Sequence, residues 1–286
     1  MHAGGDLLGE CPVWDDRTGL LHRVDALAGT VISLDPGTGA ERRVELGVHV
    51  GSLVLRADGR GVLVAAGDGF GALDPSTGTY RPLADVLRGD PAVLMNDGAC
   101  DPAGRFLAGT MSRDATPGRG ALYGFRPPDR AEPVLSGVGI SNGLAWDSTG
   151  SALYFVDTLL RRVDRLGYDV GTGAVTDRRP AVDLSGYPGL PDGMTIDAED
   201  CLWVAFWRGG AVRRFSPAGE LLQEVVVPVL RTTSCCLGGP DLRDLYVTTA
   251  RRGIRAAPDA VEDLAGGVFR CRVAVPGVPE HRWTGS

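Results

Sequence analysis

Ser141-Asn142-Gly143-Leu144-Ala145-Trp146-Asp147-Ser148-Thr149-Gly150-Ser151-Ala152-Leu153-Tyr154-Phe155-Val156 is the stretch on which the fold turns. An apolar run ends at Trp146, an acidic turn closes at Gly150, and a second apolar run follows. Asp and Gly supply the Asx hydrogen bonds and backbone freedom of a hairpin, so the stretch reads as two short antiparallel strands. Other copies of the turn begin at Trp14-Asp15-Asp16-Arg17-Thr18-Gly19, Arg56-Ala57-Asp58-Gly59, Asp101-Pro102-Ala103-Gly104, Asp197-Ala198-Glu199-Asp200 and Asp241-Leu242-Arg243-Asp244. Anchored at residues 15, 56, 101, 147, 197 and 241, the units are spaced by 41, 45, 46, 50 and 44 residues. Turns at Asp35-Pro36-Gly37-Thr38-Gly39, Asp74-Pro75-Ser76-Thr77-Gly78 and Gly171-Thr172-Gly173 add further strands. Units of about 40–50 residues with four short strands are propeller blades. Six of them close a ring and occupy residues 1–286 as one all-β domain, a six-bladed β-propeller. Helical periodicity is nearly absent, and only Ala257 to Leu264 has the pattern for a turn or two.

Composition narrows the function. Hydrophobic residues make up 43% of the chain and mean hydropathy is near zero, as in an ordinary globular protein. A net charge of −7 and a pI near 5.1 argue against nucleic acid or an anionic membrane as partner. All 29 basic residues are arginine, which excludes lysine Schiff-base chemistry and a P-loop. No apolar run approaches the length of a membrane span, and the first residues lack the charged and apolar regions of a signal peptide. Six scattered cysteines without C-x-x-C spacing read as reduced, buried thiols, so a cytoplasmic location is expected. The histidines His2, His22, His49 and His281 form no zinc pattern and are expected on the surface or in packing.

The repeat supplies a register. Five residues before each anchor stand Glu10, Gly51, Asn96, Asn142, Asp192 and, in the sixth copy, Cys236. Equivalent positions at the start of inner strands ring a propeller's channel, so Glu10, Asn96, Asn142 and Asp192 should converge. Singly, Asn142-Gly143 and Asp192-Gly193 are ordinary turn pairs; their shared slot favours a site. Two carboxylates and two amide oxygens are hard ligands that suit Ca²⁺, and also Mg²⁺ or Mn²⁺, with Zn²⁺ a competitor if geometry allows.

These residues carry a resemblance to the SMP-30/gluconolactonase/luciferin-regenerating family. It runs through Leu8-Gly9-Glu10-Cys11-Pro12-Val13-Trp14, Asn96-Asp97-Gly98, Asp101-Pro102-Ala103-Gly104-Arg105-Phe106, Ala108-Gly109-Thr110-Met111, Ile140-Ser141-Asn142-Gly143-Leu144, Pro191-Asp192-Gly193-Met194 and Thr232-Thr233-Ser234-Cys235-Cys236-Leu237-Gly238-Gly239. The resemblance implies a six-bladed propeller with one divalent cation in the central tunnel. It implies Glu10, Asn142 and Asp192 as protein ligands, Asn96 as a contact to substrate or metal-bound water, and Asp192 as the base.

Such a site supports hydrolysis of a small lactone: the cation polarises the carbonyl, and a carboxylate takes the proton of the attacking water. There is no G-x-S-x-G elbow to support a serine nucleophile. One departure bears on specificity. The family's sugar lactonases carry Arg two positions before Asn-Asp-Gly, where this chain has Leu94, which points to a less polar ring. The loop Ser112 to Gly120 offers Asp114, near the family's acidic substrate contact, and Arg113 or Arg119 as substitute cations. Trp207 is read as pocket wall or packing, Trp203 as core, and Asp97 as a turn stabiliser. Two other readings stand beside the lactonase: a non-catalytic calcium-binding regulator, and a phosphotriester hydrolase of related architecture.

Overall fold

Asp101 shows how one acidic turn folds. Its carboxylate accepts the backbone N–H groups of Ala103 (3.0 Å) and Arg105 (2.7 Å), and its carbonyl accepts that of Gly104 at 2.9 Å. The chain thereby reverses between Val93–Cys100 and Phe106–Ser112. Asp197 repeats the arrangement with Glu199 and Cys201, and Asp200 takes there the left-handed conformation that Gly104 and Gly150 supply elsewhere.

The computed structural model describes residues 2, 4–251 and 264–285. Its strands form six antiparallel sheets, each built from consecutive strands. The blades span residues 9–45, 50–85, 93–138, 141–183, 190–226 and 232–272. Five have four strands and the sixth has three among the described residues. The chain is therefore a six-bladed β-propeller. His2 pairs with Val268 through two backbone hydrogen bonds of 2.8 and 2.9 Å, so the chain's beginning closes the last blade. Residues 257–263 of the expected helical turn lie outside the described residues.

Burial follows the layers. In the fourth blade, Ser141–Trp146 and Ala152–Asp157 are buried throughout, whereas the outermost strand Val175–Asp183 is largely exposed. Inner strands lie between neighbouring blades, so both of their faces are apolar and period-two alternation disappears. The core is correspondingly divided into inter-blade clusters, such as Val156, Val163 and Val182 against Met194, Leu202, Val204 and Phe206. Trp203 is fully buried in one of them, as its sequence context suggests.

Every inner strand carries a register irregularity near its start. These fall between Glu10 and Val13, Val50 and Ser52, Met95 and Gly98, Asn142 and Leu144, Pro191 and Met194, and Thr232 and Ser234. A bulge re-aims a side chain and bends its strand, and here it does so six times around the axis. The sixth bulge corrects the register: its extra residue is Thr233, whereas Cys236 is paired with Tyr246 inside the core. The turn Gly239 to Arg243 sets Asp241 beyond the strand end instead of at it, which displaced the count. Thr233 spends its hydroxyl on Gly9 O and Thr248.

The bulges also correct the turn reading. Asn142-Gly143, Asp192-Gly193 and Asn96-Asp97-Gly98 all lie within strands. Gly143 and Gly193 have no need of positive φ; they permit close approach between blades. A Cβ on Gly143 would stand 2.5 Å from Met194 Cβ and 2.8 Å from its backbone N, and one on Gly193 would stand 2.8 Å from Ser234 Cα. Gly143→Ala and Gly193→Ala should each cost about 1–3 kcal/mol, read as a lowered urea midpoint. An unchanged midpoint would show that the inner strands are not locked against each other there.

Candidate functional site

The bulges deliver their side chains to one place. A cavity of about 400 Å³ is lined by Glu10, Asn96, Asn142 and Asp192, one from each of four inner strands. Side chains two apart on a strand share a face, and the residues two before each slot form a second ring. Leu8, Ile140, Leu190 and Arg231 from that ring line the cavity as well. Met111, Thr158, Trp207 and Arg208 complete the wall from the ends of second strands and the turns after them.

A hydrogen-bonded chain fixes the two amides. Asn96 Nδ2 donates to Ser141 O (2.7 Å) and Asn142 Oδ1 (3.0 Å). Asn142 Nδ2 donates to Thr158 Oγ1 at 2.8 Å, and Thr158 Oγ1 donates to Pro191 O at 2.8 Å. Asn142 therefore keeps its oxygen, not its amide hydrogens, toward Asn96 and the cavity. Thr158, buried and following the second strand of its blade, is a positioning residue that the register could not reveal.

The carboxyls are electrostatically uncomfortable. Burial first, then the charges of Asp192 and Asp97, push the Glu10 carboxyl well above its usual range. Burial and Asp97 do the same to Asp192. Among the described residues no three His, Cys, Asp or Glu side chains converge as a metal cluster. A cation here would have to draw on amide oxygen as well as carboxylate. The donor set fits a hard divalent ion: all oxygen, two negative charges, and one amide already oriented by Thr158.

Below the slot, the same inner strands line a smaller cavity of about 90 Å³. Asp97 lines it and is not a turn residue; burial raises its carboxyl to about 6. Cys11, Cys100, Cys235 and Cys236 surround it, with thiols pushed up by burial. The C-terminal segment crosses the floor: Ala198 N donates to Pro276 O (2.9 Å) and Trp283 N to Leu55 O (2.8 Å). Glu280 from this segment lines the cavity, its carboxyl raised by burial to about 7.

The remaining expected contacts fall elsewhere. Leu94 sits two residues before Asn96, half-buried and register-paired with Met111, but outside the cavity lining. Arg113 is exposed and donates to Pro91 O at 2.8 Å. Asp114 is exposed, accepts Thr116 N, and has its carboxyl lowered by hydrogen bonds within its own loop. Arg119 pairs with Asp90 at 3.3 Å. Trp207 lines the cavity. Arg231 was missed because the sixth slot was misplaced; with Thr233 in the slot, Arg231 falls on the second ring.

The chain is similar to known proteins along nearly its whole length. A family model for the SMP-30/Gluconolactonase/LRE-like region matches residues 8–251. Regucalcin of Xenopus laevis is 38% identical over 285 residues, 97% of this chain and 95% of that protein. A solved luciferin-regenerating enzyme superposes with a TM-score of 0.91 at 29% identity, covering 98% of this chain and 96% of that one. A regucalcin from Agrobacterium tumefaciens, described as a calcium-binding protein, gives 0.92 at 29% identity, covering 98% and 95%.

These carboxyls have a consequence for pH. Glu10, Asp192, Asp97 and Glu280 hold protons in the folded, cation-free protein that the unfolded chain releases. Their contribution to stability is therefore present below about 4 and is lost as pH rises, for Asp97 and Glu280 by about 6 and about 7. In EDTA, these groups should make the protein less stable to urea at pH 8 than at pH 5. Millimolar Ca²⁺ should restore more stability at pH 8, and the absence of any Ca²⁺ effect there would separate the carboxyls from a common cation.

Proposed function

The chain belongs to the SMP-30/gluconolactonase/LRE-like family, and from that premise we propose that the upper cavity is a divalent-cation-dependent lactonase site. The observation that carries this reading is the meeting of Glu10, Asn96, Asn142 and Asp192 in one cavity. Glu10, Asn142 and Asp192 would hold the cation, with Ca²⁺ best suited and Mg²⁺, Mn²⁺ or Zn²⁺ as competitors. When bound, a divalent cation polarises the lactone carbonyl and makes a neighbouring water more acidic.

The residues divide the remaining work. Asp192, whose carboxyl is pushed above its usual range by burial and Asp97 and is therefore the stronger base once ionised, takes the proton of the attacking water. Asn96, with its amide held by Ser141 O and Asn142 Oδ1, orients water or the ring. The water adds to the acyl carbon, the ring C–O bond breaks, and the ring oxygen leaves as a hydroxyl carrying the proton that Asp192 returns to it. The new carboxylic acid loses its proton to solvent. Glu10 anchors. Leu8, Met111, Ile140, Leu190 and Trp207 give the ring an apolar enclosure, which supports a lactone less hydroxylated than a sugar lactone. A non-catalytic calcium-binding role is the second reading, favoured by the description of the Agrobacterium relative.

A panel of lactones and phosphotriesters, run with each of the four cations, separates these readings. Lactone turnover that chelation abolishes is expected. Stabilisation by Ca²⁺ without turnover of any substrate would favour the regulator, and turnover of triesters alone would overturn the lactonase. Asp192→Asn should lower kcat by about 10²–10⁴-fold while the circular dichroism spectrum stays intact. Leu94→Arg should raise kcat/KM for gluconolactone relative to an alkyl lactone by about tenfold; no gain would show that position 94 does not reach the substrate.

A further inference from the structure

A ring of blades hides its inner strands but leaves the outer ones as sheet edges, each offering N–H and C=O groups to an added strand. Blades two, three and four blunt that edge with proline. Pro82, Pro133 and Pro180 stand in the outermost strands Thr79–Asp85, Arg130–Val138 and Val175–Asp183. The first blade ends in Glu41–Glu45, where every residue except Val44 is charged. In the sixth, Val268–Arg272 carries Arg270 and Arg272, and His2 bridges to Val268.

The fifth blade has neither proline nor arginine at its edge. Its outer strand reads Leu221-Leu222-Gln223-Glu224-Val225-Val226. The one charge is held by the blade itself, since Arg213 Nε donates to Glu224 Oε2 at 2.6 Å. Leu221, Leu222 and Val226 are exposed, Val226 by 74%, and so is Leu230. Leu230 lies beside the strand, because Gly210 N donates to Leu230 O while Gly210 O accepts Val227 N. These four belong to nine large apolar side chains exposed among the described residues, so the exposed apolar surface is concentrated here.

Backbone direction decides how a strand can add. Val227 N donates inward to Gly210 O at 2.8 Å, and the ladder runs regularly from Ala211–Val226 to Arg214–Gln223. Successive residues turn their N–H and C=O to opposite sides. Gln223, Val225 and Val227 therefore point inward, and Glu224 and Val226 point outward. A second copy of the strand can pair antiparallel only about a two-fold axis that passes through a residue. An axis at Gln223 meets the bulge at Leu222, and one at Glu224 sets like charges opposite each other. An axis at Val226 calls on Pro228, which has no N–H. The axis at Val225 meets none of these obstacles. It sets Glu224 of each copy opposite Val226 of the other, with reciprocal backbone hydrogen bonds at both positions.

We propose that this edge is a self-association surface, and that the protein forms a two-fold dimer through Leu221–Val226 of each copy. Charge favours this edge over the others. Two molecules of net charge −7 repel each other, and here the only carboxylate of the strand is neutralised by Arg213. Leu221, Leu222, Val226 and Leu230 flank the seam. A seam of one short strand a side is a small interface, so the dimer forms and parts with concentration. The proposal stands apart from the lactonase reading, since it concerns the rim and not the axis.

Sedimentation velocity on the full chain from about 1 to 200 µM spans the range of a weak dimer. The mean mass should rise from 30.0 kDa toward twice that value. Val226→Pro removes an outward N–H that the blade does not use, and so should keep the melting temperature while weakening association by about tenfold or more. Val226→Glu sets a second carboxylate against Glu224 of the other copy and should weaken it as much, whereas Val226→Lys should not. Val225→Cys should give a disulfide-linked dimer on mild oxidation that wild type does not, because facing residues of this kind bring their Cα atoms to about 4.5 Å. A single 30.0 kDa species at every concentration overturns the proposal and leaves the edge to a strand of another protein. A dimer that survives both Val226→Pro and Val226→Glu overturns it as well, since the contact then lies elsewhere. If Val226→Pro unfolds the blade, the contrast between Val226→Glu and Val226→Lys still decides.

Discussion

Six inner strands have to reach one axis together, and side chains leave little room for them to do so. The molecule meets this constraint with a bulge near the start of every inner strand and a small residue beside several of them. Gly143 lies against Met194 and Gly193 against Ser234. An ordinary strand would keep its alternation and aim each side chain between blades. The bulge breaks that alternation at one level, so Glu10, Asn96, Asn142 and Asp192 leave the inter-blade core and enter the cavity. The packing requirement and the site are consequences of the same backbone feature.

Electrostatics then sets this level apart. Buried carboxyls close to one another are raised in pKa by desolvation and mutual repulsion, and two of them stand at the slot with Asp97 close enough to add to both. On the blades, Asp101, Asp164 and Asp197 are each paired by arginine. The arginines of the upper cavity belong to the wall around Trp207. A fold that pairs many of its acidic residues with arginine also brings Glu10 and Asp192 together in one cavity on the axis.

Much of this was legible in the sequence because the blade repeat carries its own ruler. Counting back from Asp101, Asp147 and Asp197 reaches Asn96, Asn142 and Asp192 because each aspartate sits at a strand end. The ruler failed at Asp241, whose turn is longer, so Cys236 was counted in place of Thr233 and Arg231 was hidden with it. Thr158 and Arg208 were out of reach for another reason. They lie beyond second strands, where loop geometry and not strand period decides which side chain turns toward the axis. Asn142-Gly143 and Asp192-Gly193 were ambiguous locally, since the same pair serves a turn through φ or a strand crossing through its missing Cβ.

The two rings of the cavity answer to different physical demands. The slot ring needs bulges, buried oxygen donors and close-set glycines, so its side chains are tied to the geometry of the whole propeller. The ring two residues above it has regular strand direction and half-buried positions, where Leu8, Ile140, Leu190 and Arg231 can differ in polarity without disturbing the inter-blade contacts beneath. His49 lies on that ring too, and its Nε2 is engaged with Met95 O at 2.9 Å. The level fixed by folding carries the oxygen donors, and the level above it carries side chains whose polarity folding leaves open.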